Sequence, residues 1–238
     1  MSRPFAVFDI DGTIIRWQLY HAVTDQLVKD GLIDAAAFEH VRDTRMSWKR
    51  RTGSDSFRRY EQELVKVFTD AIAGMSVGAF TRAATTVFDE YKDQVYTYTR
   101  DLIRQLQAED YLLFAISGSP SILVGKLAEY YGFDDYAATN YPARDGRFTG
   151  EEELSLGRKP ELLKQLIARY GAGQEHSIAV GDSEGDITML ATVSQPIAFN
   201  PSKQLLEHAK SAGWEIIVER KNVVYRLEPK DGDYRLGG

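Results

Sequence analysis

Short, dominantly apolar runs of strand length punctuate the chain at Phe5–Phe8, Tyr111–Ile116, Ser177–Val180, Ile197–Phe199 and Trp214–Val218. Most are separated by helical patterns, and none alternates apolar with polar positions. Strands buried on both faces of a parallel sheet read this way. Two of the connecting helices carry matching start and stop signals. Pro120 opens one that Gly132 closes, and Pro160 opens another that Gly171 closes. Proline suits a first turn whose N–H has no helical partner, and glycine suits the left-handed residue that ends a helix. Between Tyr141 and Phe148, the run Arg144-Asp145-Gly146-Arg147 predicts a hairpin, because Asp-Gly accepts the positive φ a tight turn needs.

From the first strand to Tyr111 the pattern changes. Phe57, Tyr60, Leu64, Phe68 and Ile72 recur every three or four positions, and Gly31, Gly53 and Gly74 stand where helices stop. This predicts a helical insertion over residues 16–97, with 98–109 leading back into the core. The tail Pro229–Gly238 is polar and glycine-rich and is expected to fray.

Composition narrows the classes. A chain of 238 residues and 26.9 kDa, with 43% apolar and 27% charged residues, has the material for a sizeable folded core. There is no cysteine, which excludes thiolate nucleophiles, disulfide frameworks and Cys-ligated zinc or iron–sulfur sites. No apolar run approaches a membrane span and no signal-type segment opens the chain, so a cytoplasmic protein without a membrane partner is expected. The net charge of −6 argues against general nucleic-acid binding. Residues 42–59 run the other way, with Arg42, Arg45, Lys49, Arg50, Arg51, Arg58 and Arg59 against Asp43 and Asp55, a local balance of 7 − 2 = +5. A solvated helix face is the expectation there, with Trp48, Lys49, Arg50 or Arg51 the candidates for an anionic substrate.

The chemistry gathers at strand ends. Asp9 and Asp11, in Asp9-Ile10-Asp11-Gly12-Thr13, leave the first strand on the same side because side chains repeat with a period of two. Unit charges about 4 Å apart repel by roughly 4 kcal/mol at an effective dielectric near 20, so the pair needs a cation or a shared proton. Ser117-Gly118-Ser119-Pro120 places a hydroxyl and free amides at a helix start, an anion site in which Ser119 reads as an N-cap. Lys159 stands at the mouth of the next helix. Gly181-Asp182-Ser183-Glu184-Gly185-Asp186 then adds acids four residues apart after the third strand. Ligands bind open parallel sheets beyond the carboxyl ends of strands, where all of these fall. The set suits a magnesium ion and a phosphate, since Mg²⁺ takes hard oxygen ligands. His21, His40, His176 and His208 are scattered without metal-ligand spacing, which disfavours zinc.

In this order, Asp9-x-Asp11-Gly12-Thr13, Ser117, Lys159 and Gly181-Asp182-x-x-x-Asp186 resemble the four motifs of the haloacid dehalogenase-like phosphatases. The insertion after the first motif resembles the cap of the phosphoserine-phosphatase-like branch. The resemblance spans residues 5 to about 218. It implies an α/β three-layer Rossmann-like core over residues 1–15 and 98–228 with an all-helical cap over 16–97. It further implies Asp9 as nucleophile forming an aspartyl-phosphate, and Asp11 as general acid and then base. Ser117 and the Gly118 amide would bind phosphate, and Lys159 would neutralise Asp9 and the phosphate. Mg²⁺ would sit on Asp9, the Asp11 carbonyl and Asp182, with Asp186 supporting that shell. The substrate would be a small phosphomonoester, with Arg16, Trp17, Gln18 and Tyr20 beside it.

Two positions depart from the branch. The glutamate expected seven residues after Asp11 to hold a substrate amino group is Gln18, and the arginine expected seven residues after Phe57 to hold a carboxylate is Leu64. Arg58 or Arg59 could stand in for that arginine. Losing such charged contacts costs roughly 1.5–3 kcal/mol per bond, which argues against phosphoserine. Three competing readings remain: a phosphotransferase or mutase passing the same phosphoryl group to an alcohol, a serine hydrolase with Ser183 in Gly181-x-Ser183-x-Gly185, and a receiver-like signalling domain. The serine hydrolase has only His208 downstream as its base, and the receiver would lack the insertion.

Overall fold

The computed structural model describes the chain except Met1, Ala37, Ser54, Asp55, Asn222, Asp231, Gly232 and Gly238, and except the side chains of Phe57, Arg58 and Pro229. Strand β1 (Pro4–Phe8) is followed by helices α1 (Leu19–Lys29), α2 (Glu39–Lys49), α3 (Ser56–Ile72), α4 (Val77–Tyr91) and α5 (Thr97–Ala108). Then come β2 (Leu112–Pro120), α6 (Ser121–Tyr131), β3 (Asp135–Thr139) and a hairpin of β4 (Ala143–Arg144) and β5 (Arg147–Phe148). The chain continues through α7 (Lys159–Tyr170), β6 (Gly173–Gly181), a 3-10 turn at Glu184–Asp186, α8 (Ile187–Leu190), β7 (Gln195–Phe199) and α9 (Lys203–Ala212). It ends in β8 (Glu215–Arg220), β9 (Val223–Lys230) and β10 (Asp233–Leu236).

The main sheet has the order β10-β9-β8-β7-β6-β1-β2-β3. Pairs from β8 through β3 are parallel, and β8–β9 and β9–β10 are antiparallel. This is an α/β, Rossmann-like fold. Its centre is β1, in which Phe5, Ala6, Val7 and Phe8 are fully buried. After β1 the chain adds β2 and β3 on one side and β6, β7 and β8 on the other, so the direction of winding reverses at β1. Phe8 is level with Ala115 of β2 and Val180 of β6. The residues after these three positions therefore emerge together at the switch point, where such sheets open a crevice.

The punctuation read from the sequence is present in the backbone. Gly132 and Gly171 end α6 and α7 in the left-handed region, with φ of 70° and 60°. Asp145 and Gly146 have φ of 51° and 73°, the mirror-image turn expected between β4 and β5.

The chain divides into two compact units, residues 1–18, 90–139 and 154–238 in one, and residues 19–89 and 140–153 in the other. The second unit is not purely helical, because it takes in the β4–β5 hairpin. The reason is aromatic: Phe148 meets Phe80 edge-on at 5.5 Å between ring centroids, and Tyr141 packs on Phe68 at 5.3 Å. Elsewhere in this unit Phe38, Val41, Tyr60 and Leu64 form a buried cluster with Tyr20, Val28, Trp48 and Val67 against it.

Three strands of the main sheet fall outside the apolar runs read from the sequence. β3 is Asp-Tyr-Ala-Ala-Thr at a sheet edge, where half-buried alanine suffices. β9 and β10 correct the expectation of a frayed tail. Tyr234 anchors that end of the chain, its hydroxyl donating to the Trp214 carbonyl at 2.7 Å, with the Ala209 carbonyl 3.2 Å away, while its ring packs on the core. One half-buried aromatic ring holds a strand that is otherwise exposed.

Candidate active site

Asp9 follows β1 directly, and its amide donates to the Val180 carbonyl at 2.9 Å, so the ladder with β6 fixes its backbone. Its side chain is buried. Lys159 Nζ lies 2.7 Å from Asp9 Oδ1 and 2.6 Å from Asp186 Oδ1, and both partners of this lysine are buried with it. The other Asp186 oxygen, Oδ2, accepts from the Asp182 amide at 3.1 Å, the Ser183 amide at 3.0 Å and the Ser183 hydroxyl at 3.0 Å. Asp186 thus folds the Gly181–Asp186 loop around itself and offers its remaining oxygen to Lys159.

Burial is the largest influence on these groups. It pushes Asp9 up to about 7, with Asp186 and Asp11 adding to the rise and Lys159 opposing it. Burial followed by the charges of Asp9 and Asp186 holds Asp182 well above the usual carboxylate range. Burial alone would push Lys159 down, but the carboxylates of Asp186 and Asp9 more than offset it and keep the ammonium charged. Oxygens of Asp9, Asp182 and Asp186 all lie within 4.8 Å of one another. Carboxylates this close, with one lysine among them, suit a hard divalent cation.

Two glycines make this proximity possible. A Cβ on Gly12, whose φ is +82°, would lie 2.1 Å from Asp182 Oδ2. A Cβ on Gly181 would lie 2.5 Å from Asp186 Cβ.

On the other side of β1, Asp11 Oδ2 accepts from Ser117 Oγ and from Ser119 Oγ, each at 2.8 Å. The Ser119 amide donates to Ser117 Oγ at 3.0 Å. Ser119 is therefore not a helix cap: α6 starts at Ser121, and Pro120 occupies the cap position without a side-chain bond. Its spacing from Ser117 was the available signal, since side chains two apart on a strand share a side. Ser155 was not foreseen. It is buried, donates to the Ser117 carbonyl at 2.6 Å and meets Thr139 Oγ1 at 3.2 Å, so it pins the loop before Lys159 to the serine strand. Leu156 then lies against Gly118, where a Cβ would come within 3.3 Å of its Cδ2.

The structure brings together Asp9, Lys159, Asp182 and Asp186, and Asp11 with Ser117. The proposed substrate neighbours are dispersed. Arg16 donates to the buried Glu219 and to the Lys221 carbonyl, and lies over the Tyr96 ring at 4.9 Å. Trp17 and Gln18 are half-buried. Tyr20 belongs to the second unit, where its hydroxyl is 2.9 Å from that of Tyr141 and burial is the main cause of its raised pKa. In that unit Leu64 is a fully buried packing residue, and Trp48 stacks on Tyr60 at 5.5 Å. Arg45 pairs with Asp25 at 2.9 Å, while Arg42, Lys49, Arg50, Arg51 and Arg59 are exposed. The Arg58 side chain and Asp55 lie outside the described residues. His21 is buried, and burial followed by the charge of Arg45 lowers it to about 3. His208 packs edge-on against Trp214 at 4.7 Å.

Two family models, both described as haloacid dehalogenase-like hydrolase, match residues 6–191 and 157–230. The chain belongs to the haloacid dehalogenase-like hydrolases. This hydrolase is 24% identical over 231 residues to a histidinol-phosphatase of Neisseria meningitidis serogroup C, an alignment covering 90% of this chain and 98% of the relative. A protein of unknown function from Bordetella pertussis Tohama I shares its fold with a TM-score of 0.71, at 24% identity, over 91% of this chain and 98% of the other. A phosphoserine phosphatase solved as a phospho-aspartyl intermediate analogue superposes with a TM-score of 0.64, at 22% identity, over 93% of this chain and 96% of the other. The Ser183 hydroxyl of this hydrolase donates to Asp186, with no histidine base beside it among the described residues, so a serine-hydrolase elbow has no support. Among those residues no helix is long and apolar enough to cross a membrane.

Proposed function

We propose that this hydrolase removes the phosphoryl group from a small phosphomonoester through a phosphorylated Asp9, with Mg²⁺ bound. The observation that carries the reading is Asp9 itself, buried at the end of the central strand, 2.7 Å from Lys159 and within 4.8 Å of oxygens of Asp182 and Asp186. The Asp9 and Asp182 carboxylates and the Asp11 carbonyl would hold the Mg²⁺. When bound, the ion supplies charge neutralisation and orientation for phosphoryl oxygens.

The chain's own groups divide the remaining work. An oxygen of Asp9 attacks phosphorus, and the bond to the leaving oxygen breaks as Asp11 gives that oxygen its proton. Asp11, now ionised, takes a proton from water as the water oxygen displaces Asp9 from phosphorus, which restores both aspartates. Lys159 offsets the negative charge on Asp9 and phosphate, while the Ser117 hydroxyl and Gly118 amide bind phosphoryl oxygens. Asp186 holds Lys159 and the Asp182 amide in place.

The reading extends to specificity. Gln18 in place of an acid and Leu64 in place of an arginine favour uncharged or anionic esters over phosphoserine. Turnover of p-nitrophenyl phosphate, glycerol phosphate, histidinol phosphate and phosphoserine, each with Mg²⁺ and with EDTA, tests both parts. Activity lost on chelation and restored by Mg²⁺ is expected, with phosphoserine poor. Activity that survives full chelation rejects the metal, and phosphoserine as the best substrate by tenfold rejects the specificity.

A further inference from the structure

We propose that Ser119 is a positioning residue that holds Asp11 for proton transfer throughout the catalytic cycle, an inference that rests on the phosphatase reading above. The hydroxyls of Ser117 and Ser119 converge on the same atom, Asp11 Oδ2, each at 2.8 Å. A hydroxyl has one proton to donate. Ser117 cannot give its proton to Asp11 and to a phosphoryl oxygen at once, so binding a phosphate strips Asp11 of one of these donors. Ser119 keeps its own. Ser119 is buried, its amide is tied to Ser117 Oγ at 3.0 Å, and the Pro120 that follows has a fixed φ of −60°.

The assignment also separates the two oxygens of Asp11. Oδ2 accepts from Ser119 whether the carboxyl is ionised or protonated, provided the travelling proton sits on Oδ1. In the first step that proton moves from Oδ1 to the leaving oxygen as the phosphorus–oxygen bond breaks. In the second, Oδ1 takes a proton from the attacking water as the bond from Asp9 to phosphorus breaks. The Ser119 bond persists through both steps, so the geometry of proton transfer does not have to be rebuilt between them.

The test compares leaving groups. An alkoxide leaves badly without a proton, whereas p-nitrophenolate leaves readily as the anion, so a misplaced acid shows on glycerol phosphate and hardly on p-nitrophenyl phosphate. The parameter is kcat/KM, which reports the first irreversible step. Ser119→Ala should lose about 10²-fold on glycerol phosphate, the usual contribution of general acid catalysis, and less than about threefold on p-nitrophenyl phosphate. Ser119→Thr, which keeps the hydroxyl, should recover most of the loss. In an Asp11→Asn background, Ser119→Ala should cost nothing further on glycerol phosphate, because the acid it serves is already gone. Equal losses on both esters, no loss on either, or an additive loss in the double variant would overturn the proposal. Failure of the phosphatase reading shows separately, as an unmodified enzyme without phosphatase activity or an Asp9→Asn variant that retains it.

Discussion

Gly12 is the residue on which the carboxylate geometry depends most directly. Its positive φ strains any other residue, and a Cβ there would overlap an oxygen of Asp182. Gly12→Ala should therefore displace Asp182, lowering Mg²⁺ affinity at least tenfold by titration and destabilising the fold by about 1–3 kcal/mol in denaturant unfolding. Asp9→Asn is the complementary change: it keeps the shape and removes the proposed nucleophile. Rapid quench with labelled substrate should find no covalent phosphate in that variant, against a burst in the parent; covalent phosphate in Asp9→Asn would move the nucleophile elsewhere. Burial also gives Asp9 a pH signature. Its native pKa, about 7, exceeds the ordinary 3.8, so without metal the native state binds the proton more tightly than the unfolded chain does. That contribution to stability is complete below about 4 and disappears as pH rises through about 7. Mg²⁺ competes with the same proton, so the rise in Tm on adding Mg²⁺ should be larger at pH 8 than at pH 5. An equal rise at both would mean that the metal does not use Asp9.

Elements place these residues, and one element end is fastened by a group that local sequence did not disclose. Glu219, on β8, accepts from the amides of Thr97 at 3.0 Å and Tyr98 at 2.8 Å, closing the first turn of α5. It also pairs with Arg16. Ile15 bridges to Val95, and the Arg16 amide donates to the Gln94 carbonyl at 2.8 Å. One buried carboxylate therefore clamps both chain crossings that bound the inserted segment. Glu219→Ala loses a helix cap and leaves the half-buried Thr97 and Tyr98 amides without their partner, an expected cost of about 1–3 kcal/mol by denaturant unfolding. A change below about 0.5 kcal/mol would show that water replaces the clamp. A helix cap is usually sought beside the helix, and Glu219 lies 122 residues from Thr97, which is why neither this role nor that of Arg16 could be read from the sequence. What was legible had a local physical cause: the runs Phe5–Phe8 and Tyr111–Ile116, the glycine stops at 132 and 171, the turn at Asp145-Gly146, and the aspartates spaced two and four apart. Ser155, β3 and the anchoring by Tyr234 depend on partners distant in the chain, and a single sequence does not print those partners.

At the scale of the whole molecule, the parallel sheet draws its centre from distant stretches. β1 comes first in the chain, yet its two neighbours begin at Leu112 and Gly173. Residues 19–89 lie between as a large part of a separate compact unit, so the insertion separates the first motif from the rest of the site without interrupting the sheet. This order has a consequence for biosynthesis. During translation at roughly 5–20 residues per second, Phe5–Phe8 is made roughly ten to thirty seconds before β6 can cover it. Throughout that interval a strand whose Phe5–Phe8 are fully buried in the folded protein lacks its β6 neighbour, which puts it at risk of aggregation or capture by a chaperone. A chain stopped at Tyr170 should be insoluble or rapidly proteolysed, whereas one stopped at Arg220, with β1 flanked on both sides, should be recovered in the soluble fraction. The nucleophile that resemblance assigns to Asp9 thus waits on residues made much later, Lys159, Asp182 and Asp186, and no product that ends before Asp186 can hold the site.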